Sequence, residues 1–277
     1  MTDKTAVDIE LQEFSHLLKP RARDAFKGDS GHVLIMGGED GFTGAPRMAA
    51  EAALRVGAGL VSIATHSRLA GMLSLLHPEI MCHEINTATA LQALIDKATV
   101  IVIGPGMGQK AAAKMFLKKA LASALPLVVD ADGLNLLAKN PVARGNWILT
   151  PHPGEASRLL QQSSAVIQKS RQSAAEKIQK KYAAVAVLKG AGTLISAPHT
   201  MTALCRAGNP GMATAGMGDV LSGVIGGLVA QGIALTEAAQ LGVCLHASAG
   251  DLAAADGGER GMIATDLMFY LRVLVNP

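Results

Sequence analysis

Six short apolar runs punctuate the chain, each closed by glycine, proline or a polar residue. They are HVLIMGG at 32–38, LVSIAT at 60–65, VIVIG at 100–104, LVVD at 127–130, WILT at 147–150 and VAVLK at 185–189. None alternates apolar with polar positions, as a half-exposed strand would, so they read as strands buried on both faces. Ala-rich segments with helical spacing lie between them, at 45–57, 110–123, 155–162 and 166–181. That alternation predicts an α/β fold: a mostly parallel central sheet with helices on both faces. Beyond residue 205 the pattern changes to Gly- and Ala-rich helical stretches at 218–231, 235–255 and 264–275, which predict one helical layer. Helices of that composition approach closely, although each interior glycine costs ~1 kcal/mol relative to alanine. No linker, internal repeat or low-complexity tail divides the chain. The expected organisation is an N-terminal arm or helix over 1–26 and a single domain over 27–277.

Composition narrows the classes. With 49% apolar and 17% charged residues the chain can bury a large core, and two Tyr, one Trp and five Phe make that core aliphatic. The net charge of +3 is small and its Lys and Arg are dispersed, which argues against nucleic acid or an anionic membrane as partner. Cys82, Cys205 and Cys244 are odd in number and have no CxxC spacing, so they are expected to be buried thiols rather than a disulfide or zinc framework. The polar N-terminus carries no secretory pattern, and no stretch offers ~18 uninterrupted apolar residues; a cytoplasmic location is expected.

The candidate chemistry follows from topology. Ligands of open α/β sheets bind beyond the carboxyl ends of the strands, and here those ends read GGEDGFTGAP, GPGMGQ, DADGLN, TPHPGE and KGAGT. A glycine loop is either a tight turn or backbone brought close to phosphate; several converging on one rim favour a phosphate-rich ligand. None matches GxxxxGK[ST], and GPGMG lacks the third spacing of a dinucleotide fingerprint. In GNPGMATAGMGDVLSG (208–223) a helix is expected to start near Gly218, leaving the amides of Ala215, Gly216, Met217 and Gly218 as an anion site. Asp219, in the first turn, either complements the helix dipole or takes a proton from a hydroxyl attacking a phosphoryl group. AGMGDVLSG fits the second purpose better.

The segments KGDSGHVLIMGGEDGFTGAPRMAAEAALRVGAGLV, GPGMG, VVDADGLNLL, TPHPGEASRLL, LKGAGTLI, GNPGMATAGMGDVLSGVIGGLVAQG and HASAGDLAA…GERGMIATDL occur in that order from residue 27 to about 270. Together they resemble the ADP/ATP-dependent NAD(P)H-hydrate dehydratases of the ribokinase-like superfamily. The resemblance implies a repair lyase acting on the S epimer of hydrated NADH or NADPH. The ring hydroxyl is phosphorylated by ADP, giving AMP, or by ATP, and phosphate is then eliminated. It also implies residue roles: Asp219 as base and substrate contact; Ala45, Gly106, Gly108 and His152 as substrate contacts; and Lys189, Gly190, Ala191, Gly192, Thr193 and Gly218 as the nucleotide site. Mg²⁺ is expected as cofactor. Glu155 is a candidate to hold it through water, although HPGE carries His where kinase relatives have the Asn of NxxE. Asp130 and Asp132 are expected to shape the rim, Asp132 equally as a helix cap. Relatives form homo-oligomers, with a tetramer expected, and many are fused to a hydrate epimerase. Two other readings remain: a hydroxyethylthiazole- or pyridoxal-type kinase, and a non-catalytic nucleotide-binding module, against which the retained Asp219 speaks.

Overall fold

The computed structural model describes residues 6–68 and 70–276. In chain order these form β1 (Val7–Asp8), β2 (His32–Met36), α1 (Gly44–Arg55), β3 (Leu60–Thr65), α2 (Ala70–Leu76), β4 (Met81–Glu84), α3 (Ala88–Ile95), β5 (Val100–Ile103), α4 (Ala111–Ala122), β6 (Leu127–Val129) and α5 (Ala131–Lys139). The chain continues through β7 (Trp147–Leu149), α6 (Pro153–Leu160), α7 (Ser164–Lys169), α8 (Arg171–Tyr182), β8 (Val185–Leu188), β9 (Thr193–Ser196), β10 (Ala203–Cys205), α9 (Met217–Ala230), α10 (Leu235–Gly257) and α11 (Leu267–Leu274). All ten strands join one sheet in the order β1-β10-β9-β8-β7-β6-β5-β2-β3-β4. Every pairing is parallel except those that β9 makes with β8 and β10.

All six expected strands are present, and their apolar runs serve two cores. Val33, Ile35, Val100, Val102, Val128 and Ile148 face one side with residues of α1, α9, α10 and α11. Leu34, Met36, Ile101, Ile103, Leu127 and Leu149 face the other with residues of α3 to α6 and α8. The two-residue period of a strand sends neighbours to opposite faces, so covering both faces requires apolar residues throughout. The expected close approach of the Gly-rich helices is seen at Gly223 of α9, where a Cβ would lie 2.0 Å from the Ala49 carbonyl oxygen of α1.

The departures from expectation have physical causes. The helix expected over 166–181 is broken at Ser170, whose φ/ψ of −140°/56° is not helical. Strand β4, MCHE, is an edge strand without an apolar run, and β9 and β10 are short strands just after the expected ones. The segment before residue 27 carries β1, which pairs with β10, and a 3-10 turn over Leu11–Leu17 that buries Phe14; residues 1–5 of the expected arm lie outside the described residues. Among the described residues, no helix is long and apolar enough to cross a membrane.

Candidate functional site

The chain runs from β2 outward to β4, then returns to β5 and proceeds the other way to β8. The reversal between β2 and β5 is the switch point at which open α/β sheets form a crevice. The loops after these two strands are stitched together: Gly38 N–H donates to the Pro105 carbonyl at 3.0 Å and Glu39 N–H to that of Gly106 at 2.6 Å. Ala45 lies against the same loop, its Cβ 3.1 Å from where a Gly106 Cβ would stand. Asp132 accepts from Gly108 N–H at 2.9 Å and Gln109 Nε2 at 3.3 Å. Of the two roles considered for Asp132, it therefore takes the rim: it fixes GPGMG rather than capping α5, whose N-cap is Asp130.

An ionic cluster lies further along the same edge. Lys189, just past β8, places its Nζ 2.6 Å from Asp130 Oδ1, just past β6, and 4.0 Å from Glu155 Oε2 in the first turn of α6. Burial lowers the lysine's pKa, but Asp130 and then Glu155 outweigh it and hold the ammonium above its ordinary value. Asp130 is 1% exposed, a position that a lone carboxylate tolerates poorly without such a partner. Burial raises Glu155 to about 7 against the pull of Lys189. His152 caps α6: its Nδ1 accepts from Gly154 N–H at 2.9 Å, and its backbone N–H donates to Glu155 Oε2 at 2.8 Å. With Nδ1 an acceptor, Nε2 carries the ring proton toward Glu155 Oε1, 3.3 Å away. Burial and Lys189 hold His152 below its ordinary pKa.

Helix α9 meets this cluster end-on. It starts at Met217, and its N-cap Gly216 sits at φ 92°, in the left-handed region that glycine adopts freely. Among the described residues no carbonyl accepts from the N–H groups of Met217, Gly218 or Asp219, so the first turn presents free donors. A Cβ on Gly218 would lie 3.2 Å from Lys189 Nζ and 3.7 Å from Asp130 Oδ2. The bare glycine therefore lets the helix end abut the charges. Asp219 is half-buried there, and burial, with Asp130 next, raises it to about 7. Ala215 is exposed ahead of the turn.

The KGAGT loop leaves Gly190 and Ala191 exposed and Gly192 and Thr193 half-buried. Thr193 Oγ1 donates to the Gly190 carbonyl at 3.1 Å. Arg171 of α8 binds the carbonyls of Leu188, Lys189 and Ala191 from beneath. Two residues here escaped sequence reasoning. Arg171 sits in a charged helix with Lys177, Lys180 and Lys181. His246 of α10 is buried against Met217, and its Nε2 has no partner among the described residues; burial drives its pKa down to about 4, partly offset by a hydrogen bond to the Met217 backbone. A histidine in an Ala-rich helix was the signal available for it.

Thus Asp219, Gly218, Lys189, His152 and Glu155 are brought to one place, with Asp130 at its centre. Ala45, Gly106 and Gly108 form a second group at the switch point on the same carboxyl edge. Among the described residues, no group of three or more His, Cys, Asp or Glu side chains is arranged to hold a metal ion.

Sheet order and crevice define a ribokinase-like α/β protein. The model of the NAD(P)H-hydrate dehydratase family matches residues 33–272, and the chain belongs to that family. It is 58% identical to the bifunctional NAD(P)H-hydrate repair enzyme of Coxiella burnetii, over 97% of this chain and 55% of that protein. It is 40% identical to the ADP-dependent (S)-NAD(P)H-hydrate dehydratase of Neisseria meningitidis, over 95% of this chain and 91% of that protein. A Bacillus subtilis ADP/ATP-dependent NAD(P)H-hydrate dehydratase co-crystallised with ATP/Mg²⁺ superposes with a TM-score of 0.86 at 26% identity, covering 98% of each chain. The chain thus spans about half the length of the bifunctional relatives it matches.

Proposed function

We propose that this chain dehydrates the S epimer of hydrated NADH or NADPH, with ADP as phosphoryl donor, and that its catalytic unit is the single domain over 27–277. The carrying observation is Asp219 in the first turn of α9, beside three unbonded backbone donors and within the electrostatic influence of Lys189. A carboxylate with a pKa of about 7 is matched to removing a proton at neutral pH, where its base form and its basicity are both appreciable. Asp219 takes the proton of the ring hydroxyl as that oxygen attacks the β-phosphorus of ADP. The new P–O bond forms as the bond to the AMP oxygen breaks, and the amides at Ala215–Gly218 stabilise the charge on the transferring group. The ring nitrogen's electron pair then expels phosphate, and loss of a neighbouring ring proton restores the dihydropyridine.

Lys189 and the Gly190–Thr193 loop hold the nucleotide, with Arg171 keeping that loop's carbonyls turned inward. Ala45, Gly106, Gly108 and His152 contact the hydrated dinucleotide. Mg²⁺, if it binds with the nucleotide, would be held by carboxylates of this edge together with the nucleotide. The edge offers oxygen donors in Asp130, Glu155 and Asp219, and this ion is commonly held by one or two carboxylates plus substrate phosphates rather than by an all-protein cage. When bound it neutralises charge on the phosphates, and Glu155 is the residue that would reach it through water. We propose a cytoplasmic location and a homo-oligomer as well, the latter supported by exposed Phe269 and Val273 one turn apart on α11.

The test incubates the protein with NADH hydrate, Mg²⁺ and either ADP or ATP, following near-ultraviolet absorbance and phosphate release. Recovery of NADH with stoichiometric phosphate is expected. Nucleotide consumption on another alcohol without NADH recovery would move the chain to the kinase reading.

A further inference from the structure

A cleft of about 440 Å³ opens beside the crevice, where the end of the GPGMG loop meets α5 and α6. That size falls within the range of about 300–1,000 Å³ usual for small-molecule sites. Gln109, Asn135, Ala138, Lys139, Arg158 and Gln161 line it, two cations and no acid. We propose that this cleft receives the 2′-phosphate of hydrated NADPH, so that Lys139 and Arg158 set a preference for the phosphorylated dinucleotide over its NADH counterpart. This rests on the dehydratase reading and deepens it.

One hydrogen-bonded chain holds the cleft in shape. Lys139 Nζ donates to Gln109 Oε1 at 2.6 Å, and Gln109 Nε2 donates to Asp132 Oδ1 at 3.3 Å. From the other side, Arg158 Nη1 donates to Asn135 Oδ1 at 3.2 Å, and Asn135 Nδ2 to the same Asp132 oxygen at 3.4 Å. Each cation is thus placed by an amide oxygen rather than by a carboxylate. Among the described residues neither Lys139 nor Arg158 enters an ion pair, and both are exposed. An ammonium and a guanidinium that are oriented but not neutralised suit a phosphate, which takes charge-assisted hydrogen bonds from both.

Position selects the 2′-phosphate from the other phosphates in play. Gln109 directly follows Gly108, and Arg158 stands about 9 Å along α6 from His152 by helical rise. The two elements that frame the cleft therefore also carry contacts assigned to the hydrated dinucleotide. The phosphates of ADP belong elsewhere, at Lys189 past β8 and at the start of α9, a helix that packs on the opposite face of the sheet from α5 and α6. A dinucleotide whose reacting ring lies at Asp219 can extend its adenosine end across the sheet edge, past Gly108 and His152, into the cleft. The 2′-phosphate is the one group at that end that NADPH has and NADH lacks.

The test compares kcat/KM for NADPH hydrate and NADH hydrate in the unaltered chain, in Lys139→Gln and in Arg158→Gln. A hydrogen bond to a charged group corresponds to about tenfold or more in affinity. The NADPH-to-NADH ratio should therefore fall about tenfold in each variant, through KM rather than kcat. Calorimetric titration with NADP⁺ and with NAD⁺ gives a second reading that needs no turnover, and the ratio of their affinities should fall by a similar factor. An equal loss with both dinucleotides would put the cations on the shared pyrophosphate and overturn the proposal, as would ratios that do not move. If the unaltered chain dehydrates neither hydrate, the dehydratase reading fails, and the titrations still decide whether the cleft reads the 2′-phosphate.

Discussion

Replacing Asp219 with Asn keeps the shape of the first turn of α9 and removes the carboxylate proposed as the base. General-base assistance contributes about 10²–10⁴ in rate, so turnover should fall by that factor, about 3–5 kcal/mol in barrier. ADP affinity should stay within a few-fold, because the donors of the cradle are backbone N–H groups. The same substitution carries a stability signature of opposite sign. Asp219 is raised from an ordinary 3.8 to about 7 by burial and Asp130, so its ionisation disfavours the folded state. A raised carboxylate leaves stability intact below its unfolded pKa, erodes it as pH climbs toward the folded value, and has its full cost above about pH 7. At about 1.4 kcal/mol per unit the ceiling is about 4 kcal/mol, and partial solvent access brings the expectation to about 1–2 kcal/mol. For a domain of this size that is about 2–8 °C in Tm.

Thermal unfolding of both proteins without nucleotide, from about pH 5 to pH 8, together with steady-state turnover and ADP titration, reads all three quantities. The Asn variant should gain on the unaltered protein as pH rises and level off above about pH 7, while losing turnover throughout. Retained turnover would refute the base assignment. A stability difference independent of pH would refute the electrostatic account of the site, whatever the kinetics showed.

Three further outcomes are expected. Lys189→Ala leaves Asp130 buried without its partner and should cost about 3–5 kcal/mol in urea unfolding, with ADP binding weakened in calorimetry. Gly223→Ala drives a Cβ to within 2.0 Å of the Ala49 carbonyl oxygen; this overpacking should destabilise by about 1–3 kcal/mol or more, whereas Gly257→Ala, with nothing within 4 Å, should change Tm little. Asp132→Ala leaves Gly108 N–H unpaired and frees the GPGMG loop, costing about 1–3 kcal/mol in stability and raising KM for the hydrated dinucleotide more than it lowers kcat.

Much of this architecture was legible because parallel strands buried on both faces leave continuous apolar runs, and all six such runs became strands. The elements that escaped had no such signature. Strand β4 is a polar edge, β9 and β10 are three or four residues long, and α5 begins in DADGLNLL, where a strand-end acid and a glycine mask a helical stripe. The break at Ser170 is likewise silent, since helical spacing continues across it.

The site was legible as an edge, through the residues that follow each strand, but not as a balance of charge. Asp130, Glu155, Lys189 and Asp219 stand in four separate motifs, and no spacing along the chain relates them. The sheet order relates the first three: β6, β7 and β8 are consecutive neighbours, so residues just past their ends converge whatever their separation in sequence, and the start of α9 adds Asp219. Three acids gathered around one ammonium leave an excess of negative charge in a partly buried place, and burial together with that excess raises Glu155 and Asp219 to about 7. That shift makes a carboxylate at this edge a usable base near neutrality, and it ties Lys189 to the tuning of Asp219. Taking the ammonium away removes the cation that favours Asp219's ionised form. A Lys189→Met variant that still folds should therefore show its pH–rate profile displaced to higher pH, and an unmoved profile would separate the lysine from the base.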